Sequence, residues 1–194
     1  MVVVAYIDDN LIATKGSIKK YHQRVGKVFQ LHMDNSMCIE IDKCIFDSKE
    51  VPFPGCIVSG SGLRMDPEKS KSIVDWPRPT NRIKVQQLLG LWNFYRRFVP
   101  GYAAIVSPIT DLLRGPDKGI IWGEPQEAAF LKFTILCPSG KTPILRHYNP
   151  KRPALVEMDA LDFAISAILS QTFEDGKLHP MNFVSGKLTP PEVN

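Results

Sequence analysis

Sixteen prolines in 194 residues, about 8% against a usual level of about 5%, constrain this chain more than any other feature. Proline stops a helix or leaves a ladder position without a donor, so short elements with sharp ends are predicted. With 44% hydrophobic residues there is material for a core, and the length suits one large domain or two small ones. The longest apolar runs, such as Val2-Val3-Val4-Ala5, fall far short of the roughly 20 residues a membrane span needs. Asp8 and Asp9 interrupt the start before it could form the apolar stretch of a secretory signal. These features predict an intracellular protein, of cytoplasm or nucleus, with no signal peptide, transmembrane segment or membrane partner.

Cys38, Cys44, Cys56 and Cys137 show no Cys-x-x-Cys spacing, and His22, His32, His147 and His179 do not pair with them at zinc-ligand intervals. Reduced structural thiols are expected. The net charge of +4 is unevenly placed. From Arg64 to Arg97 eight basic residues face three acids, a surplus of +5, which leaves 16 basic against 17 acidic residues elsewhere. Such a segment suits a polyanion-binding surface or, read plainly, a solvated helix face.

Two apolar runs, Val2 to Tyr6 and Leu11 to Ala13, flank Asp8-Asp9-Asn10 and predict a β-hairpin with the acids at its tip. Ser17 is placed to cap a helix with apolar positions Ile18, Tyr21, Val25, Val28 and Phe29, ending near His32. Short strands are expected between Met37 and Met65, around Ile39 and Ile41, Ile45-Phe46 and Cys56 to Val58. Asp66-Pro67 then opens a helix that runs to about Trp76. Thr80 is predicted to cap a second, in which Val85, Leu88, Leu89, Trp92 and Tyr95 form an apolar stripe before Pro100. Ser107-Pro108 is expected to start a third helix, closing at Gly115, and Pro125 to about Leu136 a fourth. Strands are predicted again at Ile144 to Tyr148, Ala154 to Asp159, Phe163 to Ser170 and Met181 to Ser185.

Adjacent carboxylates at a hairpin tip suit a divalent cation, although Asp-Asp-Asn is by itself ordinary turn composition. With its flanks, Val2 to Asp9 resembles the Tyr-x-Asp-Asp motif of reverse transcriptases. Gly62 to Lys69 with Asp75-Trp76-Pro77 resembles the start of the thumb in gypsy-class LTR retrotransposon polyproteins. Leu89 to Phe98 with Pro108 to Leu113 is similar to the thumb signature of that class, and Pro143 to Tyr148 to its connection. Glu157 to Gln171, with Gly176 to Pro180 and Ser185 to Leu188, resembles the opening strands of ribonuclease H.

The resemblance implies an α+β fold. Residues 1–65 would be the C-terminal part of a polymerase palm, comprising a β-hairpin, a helix and a small antiparallel sheet. Residues 66–136 would be a helical thumb, 137–153 a connection, and 154–194 the first antiparallel strands of a truncated ribonuclease H-like domain. The implied activities are RNA-directed DNA synthesis and cleavage of the RNA strand of a hybrid, with Mg²⁺ as cofactor. Asp8 and Asp9 carry over as polymerase metal ligands, Tyr6 as the residue beside the primer end, and Asp159 as the first ribonuclease H carboxylate; Asp162 takes a structural role. The implied partner is primer–template nucleic acid, as RNA/DNA hybrid or DNA duplex, and a last reading adds a complementing polymerase chain. Arg82, Lys84, Arg96 and Arg97 are the expected phosphate contacts, salt-dependent and blind to sequence. Trp92, Phe94 and Tyr95 are open to stacking on bases, but the stripe argues that Trp92 and Tyr95 are core.

Departures from the family pattern are informative. Only Met1 to Ala5 precede the motif, and no acid there supplies the third polymerase carboxylate. Glu192 falls in a loop and does not match a later ribonuclease H carboxylate. Asn10, Pro54, Leu161 and the segment Cys137 to Lys141 also depart from the pattern, Pro54 at the cost of a ladder hydrogen bond if it lies in strand. The expectation is a chain that catalyses neither reaction alone, with a non-catalytic nucleic-acid binding remnant built on the basic thumb as the alternative. The three ribonuclease H strands are expected to leave apolar faces open.

Overall fold

A computed structural model describes residues 2–114, 119–137 and 142–192. The fold is mixed, with five α-helices and eight strands among those residues. It forms two compact units, residues 1–54 with 58–60, and residues 55–57 with 61–194. No helix among the described residues is long and apolar enough to cross a membrane.

The first unit opens with strands β1 (Val2–Tyr6) and β2 (Asp9–Ala13), antiparallel in a register that pairs Tyr6 with Asp9. The hairpin is the expected one, but Ile7 and Asp8 alone are its connection: Asp9 and Asn10, expected between the strands, pair with Tyr6 and Ala5 as the start of β2. Helix α1 (Ile18–Asp34) follows; Ser17 caps it, its hydroxyl accepting from the Lys20 amide at 3.4 Å. At the other end Asn35 Nδ2 donates to the Leu31 carbonyl, and Ser36 turns the chain away with φ 55°. Val25 is buried on the helix's inner face, and Phe29 meets Phe46 edge-on. The strands expected near Ile39, Ile41 and Phe46 are absent. A 3-10 turn at Ile41–Lys43 takes their place, closed by the Cys44 amide on the Ile41 carbonyl. Apolar alternation this short makes a strand only where a neighbour offers a ladder.

Strands β3 (Glu50–Phe53), β4 (Cys56–Ser59) and β5 (Gly62–Met65) follow in spatial order β3-β4-β5. Pro54 lies in the turn before β4 rather than in a strand, so it removes no ladder bond. Gly55 completes that turn at φ 73°, as a proline–glycine pair does in a type II turn.

In the second unit, Asp66 caps α2 (Pro67–Val74) through the Glu68 amide, with Pro67 at the first helical position. Helix α3 (Arg82–Phe94) is capped by Asn81 rather than Thr80: the Asn81 backbone is extended and its carboxamide oxygen reaches the Lys84 amide at 2.9 Å. After α3 a 3-10 turn covers Arg96–Phe98. Helix α4 (Tyr102–Asp111) starts five residues before the expected Ser107 and carries Pro108 inside it. Tyr102, Ala103, Ile105, Val106 and Ile109 are all buried, so the packing face sets the helix and overrides the missing proline donor. The expected close at Gly115 lies outside the described residues. Helix α5 (Glu124–Leu136) runs as predicted. The departure at Cys137 to Lys141 lies, beyond Cys137, outside the described residues.

The helical core is aromatic. Trp92 is fully buried and stacks on Phe133 at 4.0 Å between ring centroids, while Phe130 and Tyr102 close around them. Strands β6 (Ala154–Leu161), β7 (Ala164–Thr172) and β8 (Leu178–Lys187) form an antiparallel sheet in sequence order. The strand expected at Ile144 to Tyr148 shrinks to one bridge, in which Leu145 exchanges hydrogen bonds with Leu63 of β5. Gly62 makes that possible, since a Cβ there would collide with the Leu145 carbonyl. Sheet and helices share one unit. Ala103 donates its amide to the Ser185 hydroxyl at 2.9 Å, and Lys187 Nζ reaches Ser107 Oγ and Asp111 Oδ1 of α4. One sheet face is therefore covered, with Met181 and Phe183 buried, while β6 is exposed along its length, Val156 and Met158 included.

Candidate nucleic-acid interface and carboxylate hairpin

The register that pairs Tyr6 with Asp9 puts Asp8 in the turn and Asp9 at the first position of β2, so two carboxylates follow one another at an exposed tip. Ile7 beside them has φ 52°, a left-handed conformation that β-branched residues rarely adopt, and its side chain is 84% exposed. Among the described residues neither the Asp8 nor the Asp9 carboxylate has a hydrogen-bond or ion-pair partner in the protein. Tyr6, half exposed, is steadied by an edge-to-face contact with Phe53 at 6.5 Å, within the same unit.

Exposed carboxylate oxygens are the hard donors Mg²⁺ prefers, and that ion commonly binds through one or two carboxylates while keeping several waters. Asp8 and Asp9 fit such an ion in donor type and number. Among the described residues no three His, Cys, Asp or Glu side chains come together as a metal-binding group.

Asp159 lies within β6, opposite Ser166 of β7, and Ser166 in turn faces Ser185 of β8. The row Asp159-Ser166-Ser185 crosses the sheet on the side where Ser185 bonds to α4. Asp159 itself is exposed. Asp162, in the turn between β6 and β7, is exposed too.

The expected phosphate contacts divide. Lys84 is exposed on the first turn of α3. Arg96 and Arg97 are exposed on the 3-10 turn, and with Leu63, Leu145 and residues 181–185 they line a cavity of about 400 Å³. Arg82 turns inward, donating to the carbonyls of Leu112 and Leu113 at the end of α4. Arg78, in the same basic segment, pairs with Glu127 at 2.6 Å. Trp92 and Tyr95 are core residues, as the stripe argues, and Phe94 is the half-exposed ring of the three, lying against Gly55.

Burial also fixes the buried acids of this unit. It raises the Tyr95 hydroxyl to about 12, with the Asp66 charge adding to the effect, and raises the Cys137 thiol to about 12. Cys56 is raised by burial too, against the opposing charge of Arg97. All four cysteines are free thiols.

A second basic surface lies outside the expected ones. Lys20, Gln23, Arg24 and Lys27 of α1 line an open groove of about 580 Å³. The signal was available: no acid occurs in residues 10–33, but acids from Asp34 onward cancel the charge in a whole-chain count.

Residues 122–194 match the family described as the RNase H-like domain found in reverse transcriptase. Over 194 residues the chain is 32% identical to the Tf2-3 and Tf2-4 transposon polyproteins of Schizosaccharomyces pombe, covering 99% of this chain and 14% of each polyprotein. The fold matches the foamy viral protease-reverse transcriptase dRH in complex with double-stranded DNA, with TM-score 0.82 and 21% identity over 98% of this chain and 33% of that one. It also matches the foamy viral protease-reverse transcriptase in complex with RNA/DNA hybrid, with TM-score 0.81 and coverage of 25% of that chain. A mixed α/β architecture with antiparallel sheets is thus shared with a viral reverse transcriptase. Over its whole length the chain is similar to retrotransposon polyproteins, of whose length it spans about 14%, and over residues 122–194 to the RNase H-like domain found in reverse transcriptase, in line with its motifs.

Proposed function

We propose that this chain is the part of a retrotransposon reverse transcriptase that runs from the catalytic hairpin of the palm (residues 1–65) through the thumb (66–136) and connection (137–153) into the first strands of ribonuclease H (154–194). The observation that carries the reading is the two-residue hairpin, with Tyr6 opposite Asp9 and both carboxylates free at the tip. Asp8 and Asp9 would hold Mg²⁺, which in polymerases of this kind lowers the pKa of the attacking hydroxyl and neutralises the leaving phosphates. The chain's own residues would orient the nucleic acid. Tyr6 would face the primer end, and Lys84, Arg96 and Arg97 would meet backbone phosphates. Asp159 would supply one carboxylate to hybrid cleavage.

The 194-residue chain alone performs neither reaction on this reading, because two adjacent carboxylates in one place and Asp159 in another make two partial cages. Primer extension on an RNA template with Mg²⁺ should give no product, and binding of RNA/DNA hybrid should persist in Asp8→Asn. Extension by the wild-type chain that Asp8→Asn abolishes would overturn the inactivity. A purely binding role is the second reading, favoured by the exposure of Arg96 and Arg97. Under either, affinity should fall steeply with salt, and Arg96→Gln with Arg97→Gln should flatten that dependence.

A further inference from the structure

Helix α1 carries a cationic face that the reading above does not use. Residues 10–33 hold five basic side chains, Lys15, Lys19, Lys20, Arg24 and Lys27, and no acid. Lys20, Arg24 and Lys27 stand at i, i+4 and i+7, so they share one side of the helix, with Gln23 between them. These four line the groove on α1. Charges stacked this way repel one another, and among the described residues no acid pairs with them: the ion pairs found in this unit join His22 to Asp47 and Lys43 to Glu40 instead. Arg24 Nη1 is buried and has no hydrogen-bond partner among the described residues.

We propose that the Lys20-Arg24-Lys27 face of α1 binds the phosphate backbone of nucleic acid, as a second contact surface in addition to Arg96 and Arg97. The opposite side at mid-helix is already used, with Val25 buried and Phe29 against Phe46, and the exposed Ile18, Leu31 and Met33 lie toward the two ends, so the surface on offer at mid-helix is a cationic stripe. That favours a phosphate polymer over insertion into a bilayer, which needs an apolar face free. From Lys20 to Lys27 the helix rises about 10 Å, which matches about three successive phosphates of one strand. The inference goes beyond the proposed function and does not depend on it, since any phosphate backbone would serve.

The test uses the full chain and a short fluorescent RNA/DNA hybrid, with anisotropy measured across a salt series. Lys20→Gln, Arg24→Gln and Lys27→Gln combined should lower the salt slope by about 2 to 3 units, roughly 0.9 per lost phosphate contact. Lys20→Arg with Lys27→Arg should leave the slope unchanged, and circular dichroism should show both variants folded. An unchanged slope in the triple glutamine variant would overturn the inference, as would binding to vesicles containing phosphatidylserine that the variant loses while hybrid binding stays intact. Arg96→Gln with Arg97→Gln is the separating control. A flattened slope there, without one in the α1 variant, removes this inference and keeps the proposed interface; the reverse result removes that interface and keeps this one.

Discussion

Arg82 Nη2 donates to the carbonyl oxygen of Leu113, 31 residues further on and 2.5 Å away, so the first residue of α3 closes the C-terminal end of α4. The last carbonyls of a helix have no partner within it, and a guanidinium supplies both a donor and a positive charge where the dipole is negative. Arg82→Ala should therefore destabilise the second unit by about 1.5–3 kcal/mol. Lys84→Ala, on an exposed side chain of the same turn, should stay within about 0.5 kcal/mol of the wild type. Urea denaturation compares them directly. Equal losses in the two variants would mean that the Arg82 contact contributes little.

A second prediction separates the aromatic side chains of α3. Trp92 is fully buried against Phe133, whereas Phe94 is 46% exposed. Trp92→Ala should cost about 3–5 kcal/mol and abolish cooperative unfolding of the unit. Phe94→Ala should cost much less, and if Phe94 stacks on a base it should weaken hybrid binding at constant stability. Normal thermal stability in Trp92→Ala would contradict its place in the core.

What the sequence made legible was local. Ser17 and Asp66 cap the helices they were expected to cap, because a capping side chain needs only its own next three residues. The hairpin was readable for the same reason. Packing decided where local signals misled. Pro108 looks like a helix start, but five buried apolar residues of α4 carry the helix through it. Ile144 to Tyr148 has strand composition, but only Leu145 finds a ladder partner, and Gly62 is what lets it approach. At the candidate site the types Asp8, Asp9, Arg96 and Arg97 were legible and the inward turn of Arg82 was not, because its partner is set by the docking of α3 on α4. The cover that α4 gives one sheet face was likewise hidden, since it rests on Ser185 and Lys187 reaching residues about 80 positions away.

Alkaline pH should weaken the second unit. In the fold, burial raises Cys137 from an ordinary 9.0, and Tyr95 from an ordinary 10.0, each to about 12. A group whose folded pKa is raised adds stability that is complete below its unfolded pKa and is lost as pH rises through the folded one. Stability should thus fall from about pH 9 to about pH 12. Tyr95→Phe should make the fall from pH 10 to 12 shallower, because the phenol no longer ionises on unfolding. Midpoints of thermal unfolding across that range check it, and an identical slope in Tyr95→Phe would rule out Tyr95 as a contributor.

The tip of the hairpin should tolerate, and gain from, a change that most strands would not. Ile7 holds φ 52° with a β-branched side chain, a conformation that costs an L-residue about 1–2 kcal/mol, and its exposure means that no buried contact repays the strain. Glycine relieves the steric cost but loses about 0.5–1 kcal/mol more backbone entropy on folding. Ile7→Gly should accordingly stabilise the β1–β2 hairpin by about 0.5–1 kcal/mol. Ile7→Ala keeps a Cβ in the same left-handed position and should change little. Hydrogen exchange at the amides of β1 and β2 reads this locally, with slower exchange in Ile7→Gly than in Ile7→Ala. Faster exchange in the glycine variant would show that the left-handed turn is not a source of strain, and that Ile7 holds Asp8 and Asp9 in place by contacts of its side chain instead.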